Sequence, residues 1–314
     1  MSNYYPEGAL FMSPDNQNSI KSIFALQEAM AQEKILEARV TMCDSDHNLH
    51  VEFPCAGSGG SAVCAGIIPH DEGALGIADG STKDIALITR VNKPVCFKIK
   101  QIRKNDSGSY TAMLSRREVQ QECMENFISR LSPGDIIPAR VTHLEQFGAF
   151  VDIGCGIPSL IPIDAISVSR ISHPSDRFQA GQDIHVIIKE VSGGRVWLSH
   201  KELLGTWEEN AARFNYGETV SGIIRSVEDY GIFVELAPNL AGLAEPKEGV
   251  SVGQNASVYI KALIPEKMKV KLIIVDVFSG AHIHRPPEYF ITEGRLSYWK
   301  YSPDQSSKII ESRF

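Results

Sequence analysis

The sequence lacks two features that would direct a chain to a membrane. It contains no long apolar run, and its first residues do not form a basic segment followed by an apolar one. A membrane-spanning helix needs about 20 predominantly apolar residues, and a secretory leader needs an apolar core behind basic residues. We therefore expect no membrane partner and no secretion.

Closely spaced cysteine pairs are also missing. The six cysteines are scattered without a Cys-x-x-Cys pair, at Cys43, Cys55, Cys64, Cys96, Cys123 and Cys155. Scattered thiols are typical of reduced cytoplasmic proteins, so we expect a cytoplasmic location. A zinc site built from Cys55, Cys64 and His70 is an alternative, but it lacks the close ligand pairs that zinc sites usually have. We therefore expect no metal site.

No signature of a common catalytic site occurs in the sequence. The HxxEH zinc motif, the GxSxG nucleophile elbow and the GxxxxGK[ST] phosphate loop are all absent. This absence disfavours the hypothesis of a nuclease or hydrolase, and we expect neither enzymatic activity nor a cofactor.

Positive charge is in deficit. The 314 residues include 31 Lys and Arg against 38 Asp and Glu, which gives a net charge of −7. Dedicated nucleic-acid binders are more often basic, so the balance argues against strong, nonspecific binding driven by charge alone. The composition is otherwise that of a globular protein long enough for two or three small domains.

Between Gly134 and Lys201 the sequence contains five segments with the alternation of β-strands. Apolar and polar residues alternate, and Gly, Pro, Asp and Ser separate the segments, as in closely spaced strands of a small barrel. The predicted strands are Ile136–Leu144, Phe147–Ile153, Ser159–Ile163, Ile184–Val191 and Arg195–Ser199.

Two aromatic residues begin the second of these strands. Phe147 and Phe150 are three positions apart, so strict alternation would place them on opposite faces. The intervening Gly148 permits a bulge or bend that brings both rings to one surface. The alternative is that both rings belong to the core.

The order GD…FGAFVDIG…LIPI…HPSDRFQAGQDI…GGRVWLSHKE resembles the RNA-binding domain named after ribosomal protein S-one, a five-stranded OB-fold. In that family two aromatic rings stack on bases, while a His, an Asp and an Arg contact the backbone and sugar. The resemblance implies that Phe147, Phe150 and Arg195 contact RNA. Pro162 stands at the family's His position, and Ser192 stands at its Asp position.

The same pattern recurs after the central stretch, in residues 217–278. Tyr230-Gly-Ile-Phe233 takes the place of Phe147-Gly-Ala-Phe150, and Lys269 takes the place of Arg195. The repeat predicts a third barrel in which Tyr230, Phe233 and Lys269 contact RNA. Glu245 stands at the family's His position, where its charge repels phosphate.

A weaker copy precedes the central stretch, in residues 37–118. Its alignment places His47 and His50 at the two aromatic positions, and Thr111 at the position of Arg195. Nine basic residues against two acidic ones lie between Lys83 and Arg117. Among them, Lys98 and Lys100 alternate with apolar residues, which predicts a basic strand face. A phosphate-contacting strip and a merely solvated face both remain open.

The sequence thus predicts a mainly β protein of three tandem five-stranded OB-fold barrels, the first divergent, joined by short helices. Residues 1–36 are interpreted as a mobile tail, up to about residue 15, followed by an amphipathic helix over 19–36. Helical connectors are expected over 119–133 and 202–216, with Trp207 packing between domains. Residues 279–314 form a C-terminal extension in which His282 and His284 have a spacing that can bind metal, although a packed extension is preferred.

Two functions are compatible with this organisation. The first is noncatalytic binding of single-stranded RNA, acting on mRNA, the small ribosomal subunit or both in translation. The alternative is a protein-interaction module that docks on ribosomal or RNA-decay partners and binds RNA weakly. The net negative charge and Glu245 favour the alternative, whereas the aromatic pairs favour the first.

Overall fold

A computed structural model describes residues 4–54, 64–106, 108–193, 195–278 and 286–314. It is mainly β and contains three closed five-stranded barrels, which confirms the predicted fold class. By its internal contacts the chain divides into two compact units. The first comprises Met1–Leu131 with Asp152–Pro158, and the second comprises Ser132–Val151 with Ser159–Phe314.

The first unit contains the divergent barrel, whose strands are joined in the order β1-β2-β3-β5-β4. Its strands are β1 (Leu36–Cys43), β2 (Leu49–Glu52), β3 (Cys64–Ile68), β4 (Pro94–Lys104) and β5 (Tyr110–Ser115). Its helices are α1 (Pro14–Ile20), α2 (Ile23–Ala31), α3 (Ile85–Ile88) and α4 (Arg116–Asn126). The core includes Leu26 of α2, Val40 of β1 and Phe97 of β4, all fully buried.

The N-terminal helix differs from the single helix predicted over residues 19–36. Two short helices occur instead, because Ser22 adopts an extended backbone and caps α2 by accepting a hydrogen bond from the amide of Ala25. The last predicted residue, Leu36, already belongs to strand β1.

The prediction of a mobile tail up to about residue 15 is wrong for Glu7. Its carboxylate is buried and accepts hydrogen bonds from Arg116 Nε, at 2.6 Å, and from Arg116 Nη2, at 3.0 Å. Burial acts to raise the pKa of Glu7, but the attraction of the Arg116 guanidinium outweighs it and holds the pKa below its usual value. The Glu7 amide donates to Asp152 Oδ2 at 2.7 Å, so the N-terminal segment is an integral part of the first unit.

The central barrel has the strand order β10-β8-β7-β6-β9. Its strands are β6 (Ile136–Glu145), β7 (Gly148–Asp152), β8 (Pro158–Pro162), β9 (Asp183–Ser192) and β10 (Arg195–Ser199). Each end lies within one residue of the predicted end. Ala149 and Val151 of β7 are fully buried while Phe150 between them is partly exposed, so the alternation of the sequence corresponds to inward and outward positions.

The third barrel has the order β11-β12-β13-β15-β14. Its strands are β11 (Thr219–Glu228), β12 (Gly231–Ala237), β13 (Leu240–Ala244), β14 (Asn255–Ile264) and β15 (Lys269–Phe278). Helix α5 (Trp207–Ala211) precedes it, and a two-stranded sheet follows, formed by β16 (Tyr298–Lys300) and β17 (Glu311–Arg313). Trp207, Trp299 and Tyr301 are buried in the core of this barrel, and Val168 packs against the same cluster.

Candidate nucleic-acid interface

Phe147 and Phe150 form an aromatic pair on the outside of the central barrel. Phe147 is 57% exposed in the turn before β7, and the two ring centroids are 6.0 Å apart with planes inclined by 86°. Gly148 permits this arrangement because a Cβ at this position would lie 2.4 Å from the carbonyl oxygen of Ile161 in β8. The turn can therefore approach β8 closely, and the rings become neighbours.

His143 extends this aromatic surface, although no pattern in the sequence predicts it. Its ring lies 5.2 Å from that of Phe150, in an edge-to-face arrangement, and its Nε2 is 2.7 Å from Glu145 Oε1. His143 is on β6, across from β7, so only the pairing of these strands brings it beside Phe150. The surface thus contains three neighbouring rings, with Phe150 between His143 and Phe147.

Trp197 is a second exposed aromatic residue of the central barrel that was not among the predicted RNA contacts. It is 40% exposed, and its position two residues after the exposed Arg195 places both on the outer face of β10. Trp197 pairs with Leu160 of β8. In the third barrel, the corresponding pair is Lys271 of β15 and Leu243 of β13. Leu243 also pairs with Phe233 of β12, so these three residues form one row across three strands. Because the central barrel repeats this pattern, we infer that Trp197, Leu160 and Phe150 form the equivalent row.

Arg195 begins β10 with an exposed side chain, as the alternation predicts. Within the described parts of the chain, no carboxylate comes within salt-bridge distance of its guanidinium. A guanidinium in this state can pair with a phosphate without first losing an intramolecular partner.

The third barrel repeats the aromatic pair. Tyr230 is 68% exposed, Phe233 is half-buried, and their ring centroids lie 6.2 Å apart at 86°. Lys269 opens β15 with an exposed side chain. Glu245 is also exposed and lies 3.6 Å from Lys261 Nζ, so a carboxylate stands at the edge of this surface.

The first barrel has the same backbone arrangement with different chemistry. Thr41 Oγ1 donates to the His50 carbonyl at 3.1 Å, as Thr142 Oγ1 donates to the Phe150 carbonyl at 3.1 Å, so His50 is the counterpart of Phe150. His50 Nε2 lies 2.8 Å from Asp44 Oδ2, and the ring therefore pairs with a carboxylate. The aromatic surface of the other barrels is replaced by a polar one.

The prediction of a basic, exposed face on β4 is wrong for Lys98. Lys98 is only 7% exposed, and its ammonium group pairs with Glu122. Lys100 is exposed but pairs with Glu118 at 2.6 Å. Both glutamates lie on α4, which packs along β4, so they lie outside the contiguous window in which the positive charge was counted. Both lysines are therefore paired with carboxylates of the helix that follows the barrel.

Of the remaining expectations, two concern residues outside the described ranges. Cys55, one of the three ligands considered for zinc, is among them, as are His282 and His284. Among the described residues, no helix combines the length and the apolarity needed to cross a bilayer.

Five-stranded barrels with aromatic side chains and positive charge on their surface are typical of OB-folds that bind single-stranded nucleic acids. Residues 130–201 match the sequence model of one family within this class, the S1 RNA binding domain. The central barrel therefore belongs to the S1 RNA-binding domain family, as the sequence resemblance predicts.

Relatives of known name extend the similarity beyond the central barrel. The small ribosomal subunit protein bS1 of Staphylococcus aureus (strain COL) is 28% identical over 289 residues, covering 85% of this chain and 68% of that protein. The protein of the same name from Leuconostoc lactis is 29% identical over 234 residues, covering 68% of this chain and 54% of that protein.

Similar solved structures include a multidomain protein with nucleic acid binding domains from Streptococcus pneumoniae. It is 13% identical with a TM-score of 0.25, and the match covers 78% of this chain and 74% of that one. The a/eIF2alpha-aDim2p-rRNA complex from Pyrococcus horikoshii OT3 contains a chain that is 20% identical with a TM-score of 0.23, covering 26% of this chain and 51% of that one.

Proposed function

We propose that this protein is a noncatalytic binder of single-stranded RNA that acts in the cytoplasm on mRNA, the small ribosomal subunit or both. The observation that carries the proposal is the aromatic pair Phe147–Phe150 on the outside of the barrel that matches the S1 model. The same barrel exposes Arg195, which has no carboxylate partner among the described residues. Exposed rings offer stacking surface to any base, and the guanidinium offers a charge-assisted contact to a phosphate.

The third barrel contributes a second, weaker contact through Tyr230, Phe233 and Lys269. Its aromatic pair has nearly the same geometry as the central pair, but the exposed carboxylate of Glu245 lies at the family's His position. A negative charge there opposes a phosphate, so we assign most of the binding free energy to the central barrel. Lys98 and Lys100 contribute little, because both ammonium groups already have carboxylate partners.

The proposal is tested by fluorescence anisotropy of a labelled single-stranded RNA with the full chain. Replacing Phe147 and Phe150 with Ala should weaken binding by roughly 2–6 kcal/mol if both rings stack on separate bases. Phe24→Ala is the matched control, because this ring is 79% exposed on α2 and remote from the central barrel in sequence. Thermal unfolding of each variant separates lost contact from lost stability, since removing a core Phe costs about 3–5 kcal/mol.

Unchanged affinity of the folded double variant would refute the proposed interface. The labelled RNA should also stay intact when it is incubated with the protein and divalent metal ions. Cleavage that co-purifies with the monomeric protein would refute the noncatalytic assignment.

A second candidate is a module that docks on a protein of the ribosome or of an RNA-decay complex. The exposed apolar residues Ile273 and Val275 on the outer face of β15, together with the net charge of −7, favour it for the third barrel. Co-sedimentation with small ribosomal subunits distinguishes the two. Binding that persists when Phe147, Phe150, Tyr230 and Phe233 are all replaced with Ala indicates docking on protein, whereas its loss in this folded variant indicates RNA.

A further inference from the structure

Three potential metal ligands converge in the first barrel, outside the RNA-binding surface described above. They are His47 in the turn between β1 and β2, His70 just after β3, and Asp84 just before α3. Their ligand atoms all lie within 4.8 Å of one another, with His70 Nε2 at 2.8 Å from Asp84 Oδ1 and His47 Nδ1 at 3.4 Å from Asp84 Oδ2. Tetrahedral zinc holds its nitrogen and oxygen ligands about 3.3 Å apart, so small side-chain rotations would complete such a site.

The turn that carries His47 is fixed by the carboxylate of Asp44. Asp44 Oδ1 accepts hydrogen bonds from the amides of Asp46, at 3.0 Å, and Asn48, at 2.9 Å. His47 itself has φ of +59°, a left-handed backbone that histidine adopts less readily than glycine. Asn48 Oδ1 accepts from the amide of His70 at 3.0 Å, so the two histidine-bearing segments are tied directly to each other.

The ring of His70 is oriented by a second carboxylate. Its Nδ1 lies 2.8 Å from Asp71 Oδ1, while Nε2 faces Asp84. Metal-binding histidines commonly donate their second N–H to a carboxylate, which fixes the tautomer and strengthens the other nitrogen as a ligand. Asp71 therefore stands where such an outer partner is needed, and Nε2 is the ligand atom.

The three groups line an open cleft of about 520 Å³, together with Asp46, Asn48, Pro69 and Asp71. Two imidazoles and one carboxylate suit zinc and similar divalent transition metals, whereas calcium and magnesium prefer oxygen ligands alone. The open side leaves room for a fourth ligand from solution, such as water.

We propose that His47, His70 and Asp84 bind a divalent transition metal ion, with Zn²⁺ as the preferred ion. The arrangement is particular to the first barrel. The position of His47 is held by Phe147 in the central barrel, and the residue after the corresponding proline is Ile163 instead of His70. The site thus occupies the place where the central barrel presents its aromatic pair.

The test uses the full chain without a polyhistidine tag, titrated with Zn²⁺ by calorimetry and with Co²⁺ by visible absorption. The expected result is one ion per chain, with Co²⁺ bands of tetrahedral intensity. His47→Ala and Asp84→Asn should each weaken Zn²⁺ binding at least tenfold. His143→Ala is the matched control, because His143 also pairs with a carboxylate, Glu145, but in the described structure belongs to no group of three ligands.

Circular dichroism of the metal-free variants establishes that they are folded. The proposal is overturned if the parent chain takes up no Zn²⁺ at stoichiometric concentrations. It is also overturned if folded His47→Ala and Asp84→Asn variants bind as tightly as the parent, or if His143→Ala loses as much affinity as they do.

Discussion

Arg177 and Glu235 form a buried ion pair, with Nη2 of the arginine 2.5 Å from Oε2 of the glutamate. Arg225 joins the same carboxylate through its Nε at 2.8 Å and reaches Asp176 Oδ1 through its Nη1 at 2.9 Å. Arg177 and Asp176 precede β9 of the central barrel, while Arg225 and Glu235 lie on β11 and β12 of the third. The network therefore joins the two barrels that carry the aromatic pairs.

The first prediction is that Glu235→Gln strongly destabilises the second unit. The substitution leaves two guanidinium groups without the buried carboxylate that balances them, and breaking a buried pair in this way costs about 3–5 kcal/mol. Glu288→Gln is the control, because the pair of Glu288 with Arg213 is exposed and should contribute at most about 1 kcal/mol. Urea unfolding of both variants checks the difference, and equal stabilities would contradict the structural role of the network.

The second prediction concerns Trp197. Its exposed ring lies on the outer face of β10 with Arg195. By analogy with the third barrel it shares a row with Phe150, so it offers a further stacking position. Trp197→Ala should weaken binding of single-stranded RNA by about 1–3 kcal/mol, while thermal unfolding changes little. Anisotropy titration beside the Phe24→Ala control measures the effect. Full affinity in the folded Trp197→Ala variant would place RNA elsewhere on the barrel.

The third prediction separates paired from unpaired cations. Arg195→Gln should make the log–log dependence of RNA affinity on salt shallower by about 0.7, the value for one phosphate contact on a single strand. Lys100→Gln should leave the slope nearly unchanged, because Glu118 already neutralises that ammonium group. Titrations at several salt concentrations give both slopes. A larger change for Lys100 than for Arg195 would restore the basic strip as an RNA contact.

The central barrel could be predicted almost residue by residue because its strands alternate cleanly and carry a family motif. Each strand end lies within one residue of the prediction. The signal for Trp197 was also present, since it follows Arg195 by two positions, but exposure cannot be read from alternation alone. An outward position can be covered by a neighbouring segment, and only the fold decides whether it is.

Contacts between residues distant in sequence could not be predicted. Glu7 lies in a polar stretch without periodicity, and its partner Arg116 is 109 positions away. Lys98 stands in a locally basic window, but its partner Glu122 comes from the following helix. The convergence of His47, His70 and Asp84 likewise depends on three separate segments. Such pairs arise from packing, and a single sequence contains no local pattern that identifies them.

The last prediction concerns pH and His200, which is fully buried beside Phe178 and Tyr289. Its Nδ1 donates to the Ile166 carbonyl at 2.8 Å, and Nε2 lies 3.1 Å from the Tyr289 hydroxyl. The pKa of His200 is lowered from 6.5 to about 4, mainly by burial. The hydrogen bond to Ile166 acts to raise the pKa, and the charges of Arg177 and His185 act to lower it further. The neutral ring is therefore the form that the folded protein accommodates.

Because the folded pKa of His200 lies below the unfolded one, its contribution to stability is complete above about pH 6.5 and is lost as the pH falls toward 4. Between pH 7 and pH 5 this group should lower the free energy of unfolding by on the order of 2 kcal/mol. In His200→Asn, whose amide can still donate to Ile166, that part of the pH dependence should disappear. His143→Asn, which removes an exposed histidine, should retain it. Urea unfolding of the three proteins at both pH values makes the comparison, and an equal pH dependence in the parent and in His200→Asn would show that the unfolded and folded chains bind protons at His200 alike.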